Sequence, residues 1–357
     1  MLVKVLTVIG TRPQFIKSVL VSREMAACGI EEVVAHTGQH YDHCLSWVFF
    51  GELSLAFPKH RMPPNHSSAV THIASVMQWL EKIIADEKPD AVLAYGDCNS
   101  TLATALSAAK TGVPLAHVEA GPRQHDMSIP EEQNRVIADH LAAWNFCPTW
   151  RCLYNLKHEE AKGVFTGDVM LDNFMHFREK VGDSCAPLPD ILLTFHRPVN
   201  TDNPARLESL CYTVIKAAET HSIMFPVHPR TRRAIQRAGL WKGIEACAGI
   251  CDPLSYLETL RVLTGGVKLV MTDSGGLQKE AYFAGVPCIT LDDSSPWPET
   301  VESGWNKVCG TDMDLILRYV TGRFKEANDV RCDSRPIMEF GDGRAHKEIV
   351  KILCGGC

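Results

Sequence analysis

Met271-Thr272-Asp273-Ser274-Gly275-Gly276-Leu277-Gln278-Lys279-Glu280-Ala281 joins an apolar segment to a helical one through two adjacent glycines. The apolar run before it, Val267-Lys268-Leu269-Val270, reads as a buried strand, and Leu277 onward carries a helical pattern. A strand that turns through Ser274-Gly275-Gly276 into a helix leaves the first helical N–H groups unpaired and aimed outward. Those donors and the positive helix end suit a phosphate or diphosphate. The two glycines let a bulky anion approach the backbone with no Cβ in the way. Glu280, just over one turn further on, is placed to reach a neighbouring diol such as a ribose. On the turn alone, an ordinary well-capped βα connection is an equal reading.

The same strand–turn–helix grammar runs through the chain. Residues 3–9 form a strand broken only by Lys4, Gly10-Thr11-Arg12-Pro13 turns, and Pro13 suits a helix start. Residues 14–27 follow at helical spacing, with Phe15, Ile16, Val19, Leu20 and Met25 on one side. Arg12 and Lys17 are then cations near a strand end, fit for a phosphate. Residues 32–35 form a second strand, ending in His36-Thr37-Gly38-Gln39-His40, where Gln39 and His40 make a polar site. Residues 63–72 read as a loop and 73–87 as an amphipathic helix. The strand 91–95 leads into Gly96-Asp97-Cys98-Asn99-Ser100, with Asp97 at the mouth of a helix over 101–111. The strand 113–118 releases Glu119-Ala120-Gly121-Pro122-Arg123, and Pro130-Glu131-Glu132-Gln133-Asn134-Arg135 opens another helix.

A break over 181–190, with Gly182, Pro187 and Pro189, reads as an interdomain connection. The pattern then restarts. A strand over 191–194 ends in Phe195-His196-Arg197, a helix spans 205–220, and a strand over 223–227 ends in His228-Pro229-Arg230. A helical segment over 252–263 precedes the stretch 271–281. The strand 288–291 enters the polar loop 292–299, and a last helix runs from Gly341-Asp342-Gly343-Arg344 to about residue 353.

This alternation predicts an α/β protein of two Rossmann-like, parallel-sheet domains, 1–180 and 190–340, facing across a substrate cleft. The C-terminal helix, about 343–357, is expected to pack back on the first domain. Ligands of such sheets bind beyond the carboxyl ends of the strands. Arg12, Gln39, Asp97 and Glu119 all fall there, and four polar residues on one edge are more than solvated loops require.

Composition fits two soluble domains: 357 residues, 45% hydrophobic and 22% charged, with a formal charge of -6. That charge disfavours a nucleic-acid partner while permitting a local basic pocket. No apolar run of 18 residues occurs, so no membrane segment is expected, and a cytoplasmic protein is the expectation. The 14 cysteines are scattered. Only Cys147/Cys152, Cys247/Cys251 and Cys354/Cys357 lie close in sequence, so reduced thiols and no metal site are expected.

Ordered motifs carry a family resemblance over nearly the whole chain. They are Gly10-Thr11-Arg12-Pro13 with Lys17, Gly38-Gln39-His40, Tyr95-Gly96-Asp97, and His117-Val118-Glu119-Ala120-Gly121. Pro130-Glu131-Glu132 with Asn134-Arg135, Thr166-Gly167-Asp168, His196-Arg197, Thr272-Asp273-Ser274-Gly275-Gly276 with Gln278 and Glu280, and Gly341-Asp342-Gly343 complete the set. The chain resembles the non-hydrolysing UDP-N-acetylglucosamine 2-epimerases. Its wording at Arg12 to Lys17, at Val227-His228-Pro229-Arg230 and at Glu299-Thr300-Val301-Glu302 is most similar to the branch acting on UDP-linked 2,3-diacetamido uronic acids.

The resemblance implies the GT-B fold, a homodimer, and inversion at sugar C2 without a cofactor, through loss and re-addition of UDP by way of a 2-acetamidoglucal. It implies that Asp97, Glu119 and Glu131 are catalytic carboxylates and His196 a catalytic histidine. It likewise makes Arg12 and Lys17 substrate-side cations, and Ser274, Gly275, Gly276 and Glu280 UDP contacts. Gln39, His40, Arg135, His228 and Arg230 fall in the same motifs and are candidates for binding the UDP-sugar.

Departures stand beside the matches. Pro198-Val199-Asn200 lacks a carboxylate usual after the His-Arg pair, Pro122 replaces a leucine, and Pro296 a glutamate. Asp292 occupies the place of an arginine that faces the substrate, and an anion near a diphosphate is unfavourable. Either the loop aligns differently, another cation such as Arg230 serves, or the substrate differs. A hydrolysing 2-epimerase that releases UDP, and a nucleotide-sugar-binding protein without turnover, remain alternative readings. A glycosyltransferase fits the carboxylate set less well.

Overall fold

The structure is a computed structural model that describes residues 4–39, 51–53, 55–63, 68–182, 188–326 and 337–355. The chain divides into two units, Met1–Met175 with Met338–Cys357, and His176–Ile337.

The first unit contains β1 (Lys4–Ile9), α1 (Arg12–Ala27), β2 (Glu31–His36), β3 (His60–Arg61), α2 (Ala69–Glu87), β4 (Ala91–Tyr95), α3 (Asn99–Thr111), β5 (Leu115–Val118), α4 (Pro130–Leu141), β6 (Trp144–Cys147), α5 (Trp150–His158), β7 (Val164–Phe165) and α6 (Val169–Arg178), the last crossing into the second unit. Its sheet is ordered β3-β2-β1-β4-β5-β6-β7, and every pairing is parallel. All five residues of β4 and all four of β5, His117 included, are buried, as in parallel strands covered on both faces. Leu6, Val8, Val33, Val92 and Ala94 pack against Val76, Leu80, Ile83 and Ala105 on one face.

The second unit contains β8 (Ile191–Thr194), α7 (Pro198–Thr201), α8 (Pro204–Ala217), β9 (Ile223–Pro226), α9 (Pro229–Arg237), α10 (Trp241–Cys247), β10 (Gly249–Cys251), α11 (Tyr256–Gly265), β11 (Leu269–Thr272), α12 (Gly275–Ala284), β12 (Cys288–Thr290), α13 (Pro298–Glu302), β13 (Asn306–Val308) and α14 (Met313–Glu326). Its sheet, β10-β9-β8-β11-β12-β13, is also all parallel. Ile191, Leu193, Leu269, Met271 and Ile289 build a core on one face, and Leu192, Val270 and Cys288 contribute to a second core. The chain then returns to the first unit, where α15 (Ala345–Leu353) packs on α1.

In both sheets the strand order reverses beside the first strand of the unit. That switch point lies between β1 and β4 in one sheet and between β8 and β11 in the other, and it opens a crevice outside the strand ends. Among the described residues every cysteine is a free thiol. No described helix is long and apolar enough to cross a membrane, and no described group of His, Cys, Asp and Glu could hold a metal ion.

His36 closes β2 inside the first unit. It is 6% exposed, its ring lies 5.3 Å from that of Phe15, and its Nδ1 accepts the Gly38 N–H at 2.9 Å. Burial pushes its pKa down to about 4 from 6.5. The unfolded chain therefore binds a proton that the folded chain refuses, and stability falls as pH drops from 6.5 toward 4, by about 3 kcal/mol for this group at full titration. Urea unfolding at pH 7 and pH 4.5 checks this, because His36→Gln should lose less stability on acidification than the natural chain.

Candidate active site

Each sheet presents its polar loops at its switch point. In the first unit, the β1 loop is closed by Gln14. Thr11 caps α1 in a capping box, and Gln14 Oε1 accepts the N–H groups of Gly10 at 2.7 Å and Thr11 at 3.1 Å. Gln14 Nε2 reaches across to the Tyr95 carbonyl at 2.9 Å, tying the β1 turn to the β4 turn. The helix starts at Arg12 rather than after Pro13, so Arg12 occupies its first turn.

Lys17, one turn further along α1, is buried, and its Nζ meets Glu119 Oε1 at 2.5 Å. Glu119 directly follows β5 in the left-handed backbone region, φ +68°, unusual for a residue with a Cβ. Such strain persists where surrounding structure holds it, and it is concentrated at functional positions. Gly96, φ +63°, lies next to this pair. A Cβ there would stand 3.0 Å from Lys17 Nζ and 3.5 Å from Glu119 Oε1, so the β4 turn needs glycine for conformation and for room.

Asp97 follows, one-third exposed, with Oδ2 at 2.5 Å from Arg135 Nη2. Arg135 Nη1 meets Glu132 Oε2 at 2.6 Å, so one buried guanidinium bridges two carboxylates. Glu132 Oε1 also accepts the N–H groups of Gln124 and His125 at 2.9 and 2.8 Å. Arg135 thus faces Asp97, and Glu132 anchors it. Glu131 lies half-buried in the first turn of α4. Gln39 Oε1 accepts Ser100 Oγ at 2.7 Å and Ser100 N at 3.1 Å, joining the end of β2 to α3. His40 lies outside the described residues.

Beneath these groups sits a buried polar network that the motif reading overlooked. His117 places Nε2 at 2.7 Å from the Gly96 carbonyl and Nδ1 at 2.7 Å from Asp139. Asp139 also meets Arg123 at 2.7 Å, and Arg123 meets Glu159. Burial works against the Arg123 charge, but Glu159 and Asp139 outweigh it and raise its pKa.

Replacing Arg135 by methionine leaves Glu132 a buried, unpaired charge, which costs about 3–5 kcal/mol. Arg135→Lys should recover only part of this, since a point charge lacks the fork that spans two carboxylates. Urea denaturation of the two variants measures both effects.

In the second unit, Ser274 caps α12 and its Oγ accepts the Leu277 N–H at 3.5 Å. Gly275 and Gly276 form the first turn of α12, where backbone N–H groups lack intrahelical partners. A Cβ on Gly275 would touch Trp297 Nε1 and Pro296 at 3.4 Å. Glu280 is 6% exposed on the same helix. Across the switch point, the His196 side chain is 43% exposed, and its Nδ1 is 3.2 Å from Asp273. His228 caps α9, and its ring centroid is 5.6 Å from that of His196.

Asp292 is paired within this unit. Arg197 Nη1 meets Asp292 Oδ2 at 2.6 Å, so the acidic residue arrives with its own cation. Arg230 is not the compensating group there: it pairs with Asp202 at 2.6 Å and bonds Thr201 Oγ1 at 3.0 Å.

Two doubly wound parallel sheets, each with a polar switch-point crevice, define a two-domain α/β protein of the GT-B class. The profile of the UDP-N-acetylglucosamine 2-epimerase family matches residues 23–354. The chain is 38% identical over 360 residues to a UDP-2,3-diacetamido-2,3-dideoxy-D-glucuronate 2-epimerase of Pseudomonas aeruginosa, covering 98% of this chain and 99% of the relative. It is also 38% identical over 363 residues to a UDP-N-acetylglucosamine 2-epimerase homolog of Methanococcus maripaludis, with 98% and 99% covered. The crystal structure of Methanocaldococcus jannaschii UDP-GlcNAc 2-epimerase in complex with UDP-GlcNAc and UDP matches with a TM-score of 0.90 and 33% identity, covering 99% of this chain and 100% of that one. The chain belongs to the UDP-N-acetylglucosamine 2-epimerase family.

Proposed function

We propose that this protein inverts C2 of a UDP-linked N-acetylated sugar, UDP-GlcNAc or a 2,3-diacetamido uronic analogue, with the product still linked to UDP. The observation that best supports the reading is the pair of carboxylates Asp97 and Glu119 at neighbouring strand ends, each held by a buried cation. The hydrogen on C2 is not acidic enough for simple removal and return. In the proposed route the C1–O bond to UDP breaks as the C2 proton leaves, giving a 2-acetamidoglucal. UDP then adds back at C1 while C2 takes a proton on its other face. Removal and delivery on opposite faces need two placed acid–base groups, and Asp97, Glu119 and Glu131 are the candidates. Ser274, Gly275 and Gly276 supply the helix end for the diphosphate, so that the leaving group is retained.

Incubation with each UDP-sugar separately, followed by anion-exchange separation, tests the proposal. The expected product is a UDP-linked C2 epimer without stoichiometric free UDP. Stoichiometric free UDP would favour the hydrolysing alternative, and tight UDP binding with no turnover on any of these sugars would favour a binding protein.

A further inference from the structure

We propose that Asp273 is a positioning residue for His196, fixing the imidazole in its Nδ1–H form so that Nε2 is the ring atom free to handle a proton. This rests on the assignment of His196 to the reaction proposed above. The sheet register brings the two residues together. Thr194 pairs with Thr272, and their hydroxyl oxygens are 2.8 Å apart, so the loops leaving β8 and β11 run side by side.

Asp273 has 0% exposure and uses both oxygens as acceptors. Oδ2 takes the N–H groups of His196 and Arg197, each at 2.9 Å, and Asn200 Nδ2 at 3.1 Å. Oδ1 takes the His196 N–H at 3.1 Å and stands 3.2 Å from His196 Nδ1. One carboxylate therefore holds both the backbone and the ring of the same residue. Burial acts to raise the Asp273 pKa, but the neighbouring His196 charge and these donors outweigh it and the pKa is lowered. An ionised carboxylate has no proton to give, so a bond across this 3.2 Å approach has Nδ1 as its donor.

The far edge of the ring is then the working edge. His228, whose ring is tilted 33° to it at 5.6 Å, has its own Nδ1 occupied by the Arg230 N–H at 3.1 Å. With Nδ1–H pinned, His196 can gain or lose a proton at Nε2 without breaking its anchor. When charged, it presents an Nε2–H, which suits the negative charge that collects on a departing diphosphate.

Asparagine at 273 reverses this. Its single oxygen is needed by Arg197 N and Asn200, which leaves an NH2 group against His196 Nδ1. Nδ1 must then accept, the ring proton moves to Nε2, and the ring is held neutral. The full-length protein labelled with 15N-histidine reports the tautomer through two-bond N–H correlations, with His196 assigned by the signals lost in His196→Gln. At a pH high enough for the ring to be neutral, the natural chain is expected to show His196 protonated on Nδ1, and Asp273→Asn to show it on Nε2. Turnover of Asp273→Asn should fall by about a hundredfold or more with KM little changed, as for other wrong-tautomer variants. Asp273→Asn/His196→Gln should be no slower than His196→Gln alone.

An Nε2–H tautomer in the natural chain, an Asp273→Asn variant with natural turnover, or a double variant slower than His196→Gln by the full cost of Asp273→Asn would each overturn the proposal. If Asp273→Asn does not fold, the spectrum of the natural chain decides alone. Absence of turnover by the natural chain on every UDP-sugar counts against the epimerase reading, whereas the tautomer measurement addresses only Asp273.

Discussion

Glu119→Gln is expected to lower turnover by about 10²–10⁴-fold, the usual range for losing a placed acid–base group, while UDP still binds. Glutamine has the shape of glutamate and keeps the backbone twist that the site demands. What changes is the charge beside Lys17 and the ability to move a proton. Lys17 is left buried without its anion, so stability should fall too, and restoring it by pairing the change with Lys17→Met should not restore turnover. Steady-state rates and UDP titration calorimetry on the same preparations separate the effects. Near-natural turnover in Glu119→Gln would reduce Glu119 to a counter-ion for Lys17.

Gly275→Asp is expected to weaken UDP binding by about 100- to 1,000-fold. A new carboxylate about 4 Å from a diphosphate charge costs up to about 4 kcal/mol at an effective dielectric of 20, part of which rotation of the side chain relieves. The fold should tolerate it, because an acidic residue in the first turn of α12 is favoured by the helix dipole. The crowding by Trp297 and Pro296, at 3.4 Å, adds a small steric penalty. Calorimetry with UDP and a thermal melt give both numbers. Unchanged affinity would remove the helix end from the proposed diphosphate site.

Much of this was legible in the sequence, for a physical reason. A buried parallel strand is largely apolar, and the turn after it must offer small or polar residues, so β1, β4, β5, β8, β11 and their loops announce themselves. Elements defined by their neighbours do not. β6 carries Asn145 in its middle, which breaks the apolar run, yet its Nδ2 is satisfied by the carbonyls of Asp139 and Lys162, both at 2.8 Å. β3 and β7 have two residues each and exist only through pairing at the sheet. The helix expected from 73 begins earlier, at Ala69, because Ser68 caps it. The segment expected from 252 begins later, at Tyr256, behind a Ser255–Glu258 capping box. The strand expected over 267–270 lies at Leu269–Thr272, since Val270 and Thr272 take their places from the pairing with Leu192 and Thr194.

The candidate site divides in the same way. Asp97, Glu119, His196 and Ser274 follow strand ends, which a reader of the sequence can find. Gln14, Glu132, Asp139 and Asp273 work through bonds inside the fold. Asp139 meets His117 across 22 positions, and Asp273 meets Arg197 across 76. Nor could charge at Asp292 be judged alone, because its cation, Arg197, is 95 positions away.

In the proposed reaction the C2 hydrogen is exchanged while UDP leaves and returns. Turnover of the UDP-sugar substrate in D2O, followed by proton NMR, reads this exchange. A UDP-linked C2 epimer carrying one solvent deuterium at C2 is expected. An epimer that retains its original C2 hydrogen would rule out the elimination route.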